Sequence, residues 1–186
     1  AATLFDEFRR NYGRSVFIED AEAYFSQNYC PLDGEVARLT GSKDTFSKEE
    51  VISFFLKSVD ADDRYFFLLL SPDGRIIGES VINEIDRELH SANFRIAIFH
   101  AMERGRGIGT WATKITRDFA FQEVKLHRLA LEVYSFNPRA EKVYWKAGFK
   151  REGVLRDGVM DAGSYADVIL MAILESDWRE MKEAER

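Results

Sequence analysis

The apolar positions of this chain switch between helical and strand-like periods. Leu4, Phe5, Phe8 and Tyr12 fall at near-helical spacing and predict a short helix over residues 1–13. Residues 15–19 read as a first strand, and Asp20 is placed to cap a helix running to about residue 29. A turn at Cys30-Pro31-Leu32-Asp33-Gly34 leads to a brief extended stretch or loop over 35–40. Ser47-Lys48-Glu49-Glu50 is a capping box, and Val51, Phe54, Phe55 and Val59 continue the helix behind it. From Arg64 strands take over: an apolar run at 65–70, a turn at Ser71-Pro72-Asp73-Gly74, and a return strand through Ile76, Ile77 and Val81. Further strands are expected at about 92–99 and 128–134, with a helix over 138–147 stopped by Gly148. Val154 and residues 165–174 belong to a final pair of strands, joined through Asp157-Gly158 to Ala162-Gly163, and a charged helix is expected from Glu175 onwards. This order predicts one mixed α/β domain, with helices in 1–60 ahead of a strand-rich core over 64–178; the strand order does not follow from the pattern.

Between the strand at 93–99 and the next helix lies Glu103-Arg104-Gly105-Arg106-Gly107-Ile108-Gly109-Thr110. The helix announces itself through Ile108, Trp111, Ala112, Ile115 and Phe119 on one face. Strand, glycine turn and helix together make a seat for a phosphate: glycines let the backbone curl closely, and the unpaired N–H groups of the helix start point into the curl. Arg104 and Arg106 add positive charge around it. The spacing departs from both common nucleotide signatures, since neither G-x-G-x-x-G nor a lysine-bearing P-loop is present.

What the stretch does fit is [QR]-x-x-G-x-[GA], with Arg104, Gly107 and Gly109 in the defined places, and this resembles the pyrophosphate loop of the GNAT superfamily of N-acetyltransferases. A second constellation agrees: Asn137, Ala140, Tyr144, Gly148, Phe149, Gly153 and Arg156, followed by Gly163-x-Tyr165-x-Asp167 and Trp178. These residues are similar to the branch that holds the ribosomal-protein alanine N-acetyltransferases and spermidine N-acetyltransferase. The resemblance covers roughly residues 65–178; the opening strand motif L-x-L-R-P of such proteins has no counterpart in residues 5–18.

The resemblance implies a largely antiparallel mixed sheet with helices on both faces, acetyl-CoA as co-substrate, and direct transfer to a primary or α-amine in a ternary complex. It implies that Gly105, Arg106, Gly107, Ile108, Gly109 and Thr110, with Arg104, hold the pyrophosphate. The pantetheine arm would lie along Ile98, Phe99 and His100, with Asn137 as a further contact. Asn137 also reads as an N-cap ahead of Pro138. Tyr144 is the expected general acid, because a phenol with a reference pKa near ~10 matches a departing thiolate. For the base the strand acids and a neighbour stay open (Glu79, Glu84, Glu88, His100), with Glu84 the nominal choice. Arg139 and Lys142 are candidates for the cofactor's phosphates, although surface solvation is the simpler reading of both.

Composition narrows the alternatives. The net charge of −6 disfavours a general nucleic-acid binder and suits an amine acceptor, either a small molecule or a protein N-terminus. No apolar run is long enough for a membrane span and no secretory signal is visible, so a cytoplasmic location is expected. The single cysteine, Cys30, excludes an internal disulfide and a Cys-rich zinc site, and His90 and His127 lack metal spacing. A homodimer is compatible with all of this. A CoA-binding sensor or scaffold without transferase activity is the alternative from another class.

Overall fold

The computed structural model describes residues 13–15 and 17–186; the helix expected over 1–13 therefore lies almost wholly outside the described residues. A seven-stranded sheet runs in the order β1-β2-β3-β4-β5-β7-β6. Its strands are β1 (Gly13–Ser15), β2 (Tyr65–Leu70), β3 (Ile76–Asp86), β4 (Ser91–Ile98), β5 (Arg128–Tyr134), β6 (Lys150–Asp161) and β7 (Ser164–Leu174). Every neighbouring pair is antiparallel except β4 and β5.

Both faces of the sheet are covered, which explains why β2 reads as an unbroken apolar run. Phe67 and Leu69 point to one face, where they meet Ala112, Ile115 and Phe119 of α4 (Ile108–Gln122). The same cluster takes in Ala147 beyond α5 (Pro138–Lys146) and Trp178 of α6 (Glu175–Ala184). Phe66 and Leu68 point the other way, onto α1 (Ala21–Asn28), α2 (Gly34–Thr40) and α3 (Lys48–Asp60) through Tyr24, Val36, Ala37, Val51 and Phe55. Each such buried side chain contributes about 1.5–3 kcal/mol. Among the described residues no helix is long and apolar enough to cross a membrane.

Local chemistry explains most boundaries. The Ser47–Glu50 box is closed in both directions, Glu50 N–H to Ser47 Oγ at 3.1 Å and Ser47 N–H to Glu50 Oε2 at 2.8 Å. Gly74 turns the β2–β3 hairpin at φ 84°. Four expectations are corrected. The first strand ends at Ser15, and Ile18–Asp20 is a 3₁₀ turn. Asp20 accepts from Phe17 N–H at 2.8 Å, closing that turn instead of capping α1 with its side chain. The stretch at 35–40 is helical, because Asp33 Oδ1 accepts from Val36 N–H at 3.0 Å and Gly41 ends α2 at φ 71°. Asp157-Gly158 is an irregularity inside β6, so the hairpin turns only at Ala162-Gly163.

A buried charge cluster fixes α6. Arg117, 1% exposed, donates to Asp118 Oδ1 through Nε at 2.9 Å and Nη2 at 2.8 Å, and to the Ala147 carbonyl through Nη1 at 2.8 Å. Trp178 Nε1–H donates to the same Asp118 oxygen at 2.8 Å, and Lys182 reaches Oδ2 at 3.1 Å. Asp118→Ala is expected to lose about 3–5 kcal/mol, because it strands a buried guanidinium. Urea denaturation measures this, and a loss below about 1 kcal/mol would mean that Arg117 finds water instead.

Candidate active site

The sheet opens at one place. β4 and β5 pair only over Ser91–Asn93 and Arg128–Ala130, although β4 stays paired with β3 to Ile98 and β5 with β7 to Tyr134. Beyond Asn93 and Ala130 the two strands part, and a cleft of about 730 Å³ fills the gap. Peptide groups on the facing edges are left without strand partners there, as on any sheet edge.

At the head of the cleft the glycine stretch starts α4. Gly105 and Gly107 hold φ 80° and 83°, a region that side chains avoid. Gly107 is the N-cap residue and uses no side-chain cap; the first intrahelical bond is Trp111 N–H to the Gly107 carbonyl at 3.0 Å. The N–H groups of Ile108, Gly109 and Thr110 therefore have no intrahelical partner. A Cβ built on Gly107 or Gly109 would meet nothing within 4 Å, so the space before these amides is open to a ligand. That geometry fits an anionic group such as a pyrophosphate.

The arginines beside the seat are already engaged. Arg104 donates through Nη2 to Asp33 Oδ1 at 3.1 Å and through Nη1 to the Ile98 carbonyl at 3.3 Å. Arg106 pairs with Glu103 at 3.3 Å, which also holds Arg75 at 3.1 Å. Arg139 lines the cleft and crosses Gly105, its Nη2 standing 2.8 Å from where a Cβ would be. Lys142 is exposed and does not line the cleft.

Of the residues expected along the pantetheine arm, only Ile98 and Asn137 line the cleft. Phe99 is 1% exposed and turns into the second core cluster, against Tyr24 and Tyr29. His100 Nε2 is 2.9 Å from Asn28 Oδ1 on α1. Ile108 packs on the first core cluster. Asn137 Oδ1 accepts from Ala140 N–H at 3.2 Å, so it is the α5 N-cap as well as a wall residue. Gly105, Gly107, Gly109 and Thr110 all line the cleft.

Tyr144 reaches the same cleft from α5, edge-on to Phe94 with ring centres 6.2 Å apart. Burial pushes its phenol up to about 12, so it stays protonated over the whole physiological range. Glu84 lies on the cleft wall at the bulged end of β3, with φ 52°. Glu88 belongs to the β3–β4 turn, where its N–H donates to Asp86 at 2.9 Å. Glu79 is buried at 4% exposure, accepting from Tyr24 Oη at 2.8 Å, with Arg95 at 3.8 Å. Burial raises the Glu79 carboxyl, and Arg95 and Tyr24 only partly offset it. Tyr29, 3.2 Å from Tyr24 Oη, is pushed up to about 12, chiefly by burial.

Sequence reasoning did not anticipate the walls that α2 and β5 provide: Glu35, Leu39 and Thr40 from one, Glu132 and Tyr134 from the other. Two signals pointed to them. Asp33 and Gly41 bracket a seven-residue helix as cap and stop. Along β5, Leu129, Leu131 and Val133 alternate inward, leaving Glu132 on the opposite face.

Comparison with known proteins decides the family. A sequence model of the acetyltransferase (GNAT) domain matches residues 14–150. The chain belongs to the GNAT acetyltransferase family. Its GNAT relatives include a probable N-acetyltransferase of Bacillus subtilis (strain 168), YjcK, 29% identical over 161 residues, 87% of this chain and 82% of that one. The spermidine N(1)-acetyltransferase of Vibrio cholerae is 28% identical over 137 residues, 74% of this chain and 79% of that one. The crystal structure of spermidine N-acetyltransferase from Vibrio cholerae with CoA and spermine superposes with a TM-score of 0.80 at 24% identity, covering 90% of this chain and 96% of that one. The mixed, largely antiparallel sheet with helices on both faces is thus the GNAT fold, and the chain is an acyltransferase of that family. The edge strand β1 pairs with β2 without the expected L-x-L-R-P motif.

The buried Glu79 carboxyl generates a pH prediction. Its folded pKa lies above the ordinary 4.5, so between the two values the folded state binds more protons than the unfolded state. Stability from this group is present at low pH and lost as pH rises through the folded value. Glu79→Gln is expected to gain on the parent protein as pH rises above about 4.5 in urea titrations. Parallel profiles would show that Arg95 and the two phenols hold Glu79 ionised at no cost.

Proposed function

We propose that this chain transfers an acetyl group from acetyl-CoA to a primary or α-amine, by direct attack within a ternary complex. The observation that carries the reading is the meeting of three features in one cleft: the open glycine seat of α4, the unpaired edge of β4, and Tyr144. CoA supplies the acetyl thioester. The amides of Ile108, Gly109 and Thr110 bind its pyrophosphate, the unpaired edge of β4 pairs with the extended arm, and Asn137 and Arg139 close over it.

Each residue's task follows from its place. The amine nitrogen forms the new C–N bond and gives its proton to Glu84, directly or through water. A main-chain N–H along the open edge of β4 stabilises the charge that develops on the carbonyl oxygen. Tyr144 gives its proton to the sulfur as the C–S bond breaks; a phenol at about 12 is a donor that never ionises prematurely.

The acceptor is read as a small amine that carries further positive charge. Among the described residues, Glu84 of β3 and Glu132 of β5 both line the cleft with no cation paired to either. Spermidine N-acetyltransferases among the relatives support the same class. A protein N-terminus is the acceptor that competes with it.

Thiol release from acetyl-CoA, run against polyamines and N-terminal peptides, tests the proposal. Polyamine turnover is expected, with Tyr144→Phe lowering kcat about a hundredfold or more while the calorimetric Kd for CoA stays within about threefold. Unchanged turnover in that variant removes Tyr144 as the acid. CoA binding without turnover on any amine would favour a binding module.

A further inference from the structure

The arginine of the glycine stretch has a partner far away in the chain. Arg104 Nη2 lies 3.1 Å from Asp33 Oδ1, and only 21% of its side chain is exposed. Its Nη1 donates to the carbonyl of Ile98, at the end of the opened edge of β4. The same Asp33 oxygen accepts from Val36 N–H and so caps α2. Burial alone would raise the Asp33 carboxyl, but the Val36 N–H and Arg104 more than offset this, and it sits below the usual carboxylate range.

α2 crosses the cleft from that anchor. Glu35, Leu39 and Thr40 face the cleft along its length. Arg38 grips Asp161, at the end of β6, through Nε at 2.8 Å and Nη2 at 3.1 Å, and its guanidinium stands 5.0 Å over the Phe136 ring. Gly41, the stop residue, leaves room only for the Tyr134 hydroxyl. The helix is thus tied to the β5–β6 side at its middle and end. Towards the phosphate seat its tie is the Arg104–Asp33 pair.

We propose that Arg104 and Asp33 are positioning residues for the acceptor: Arg104 clamps the start of α2 to the open edge of β4 and does not serve as a pyrophosphate ligand. This deepens the acetyltransfer reading and rests on it. The seat needs no guanidinium, since three free amides and a helix N-terminus already face it. A guanidinium turned to the phosphate would leave the Asp33 carboxylate and the Ile98 carbonyl without their shared donor. The acceptor wall carried by α2 would then lose its fixed distance from β4.

Two variants test the clamp. Arg104→Met keeps the stem and removes the charge; Asp33→Ser keeps a hydroxyl to cap Val36 and removes the ion pair. Each is expected to raise the acceptor KM roughly tenfold, leave kcat and the CoA Kd within about threefold, and add nothing further when the two are combined. A tenfold weaker CoA Kd in Arg104→Met, with acceptor KM unchanged in Asp33→Ser, would overturn the proposal and make Arg104 a phosphate ligand. Unchanged KM in both variants would overturn it too. Hydrogen exchange reads the clamp with no ligand present: amides of α2 should exchange faster in both variants while those of α4 do not. If the parent protein neither binds CoA nor turns over, the acetyltransfer reading fails, and the exchange result still decides whether the clamp exists.

Discussion

Beyond Asn93 and Ala130, the facing edges of β4 and β5 carry peptide groups that no strand satisfies, although both strands remain paired on their outer sides. Buried backbone groups without partners cost about 1–3 kcal/mol each, so such a gap persists only where water or a ligand enters it. Everything else that matters for chemistry is arranged along this opening. α4 starts at its head, α5 delivers Asn137 and Tyr144 from one side, and α2 crosses from the other. The rigid layers behind it, one core on each face, keep the opening from collapsing.

Charge is unevenly distributed around the cleft. Near the glycine stretch Arg104 is paired with Asp33 and both Arg75 and Arg106 with Glu103, leaving the backbone amides and Arg139 as the positive surface. Glu84 and Glu132 also line the cleft, without such partners among the described residues. On the proposed reading, an anionic ligand and a cationic one are drawn into one cleft by fixed dipoles and by free carboxylates respectively.

Much of this was legible in the residues because it is local. The hairpin turn at Gly74, the box at Ser47, the glycine seat and the Asn137-Pro138 helix start all depend on residues within four positions of each other. What escaped is non-local or too short to show a period. α2 has seven residues, fewer than two full helical repeats, and only its caps betray it. The parting of β4 from β5 has no sequence signature, since it is a failure of pairing between strands with ordinary patterns. Phe99 and His100 continue the strand pattern, yet one fills the core and the other meets Asn28, because β4 ends at Ile98 and the chain bends into a 3₁₀ turn at Ala101–Glu103.

Arg104 shows why a motif residue must be followed to its atoms. Its place before Gly107 and Gly109 suggests charge delivered to a phosphate, but its guanidinium is committed to a carboxylate 71 residues earlier and to the last carbonyl of β4. A seat made of amides can afford this, because its geometry is set by φ at Gly105 and Gly107 and by the first turn of α4 rather than by a side chain. The arginine thus links the open end of β4 to the start of α2, which on the proposed reading hold the donor and wall the acceptor. On that reading both substrates share one reference point, the open end of β4, and the alignment of their reacting atoms follows from backbone positions already fixed by the sheet.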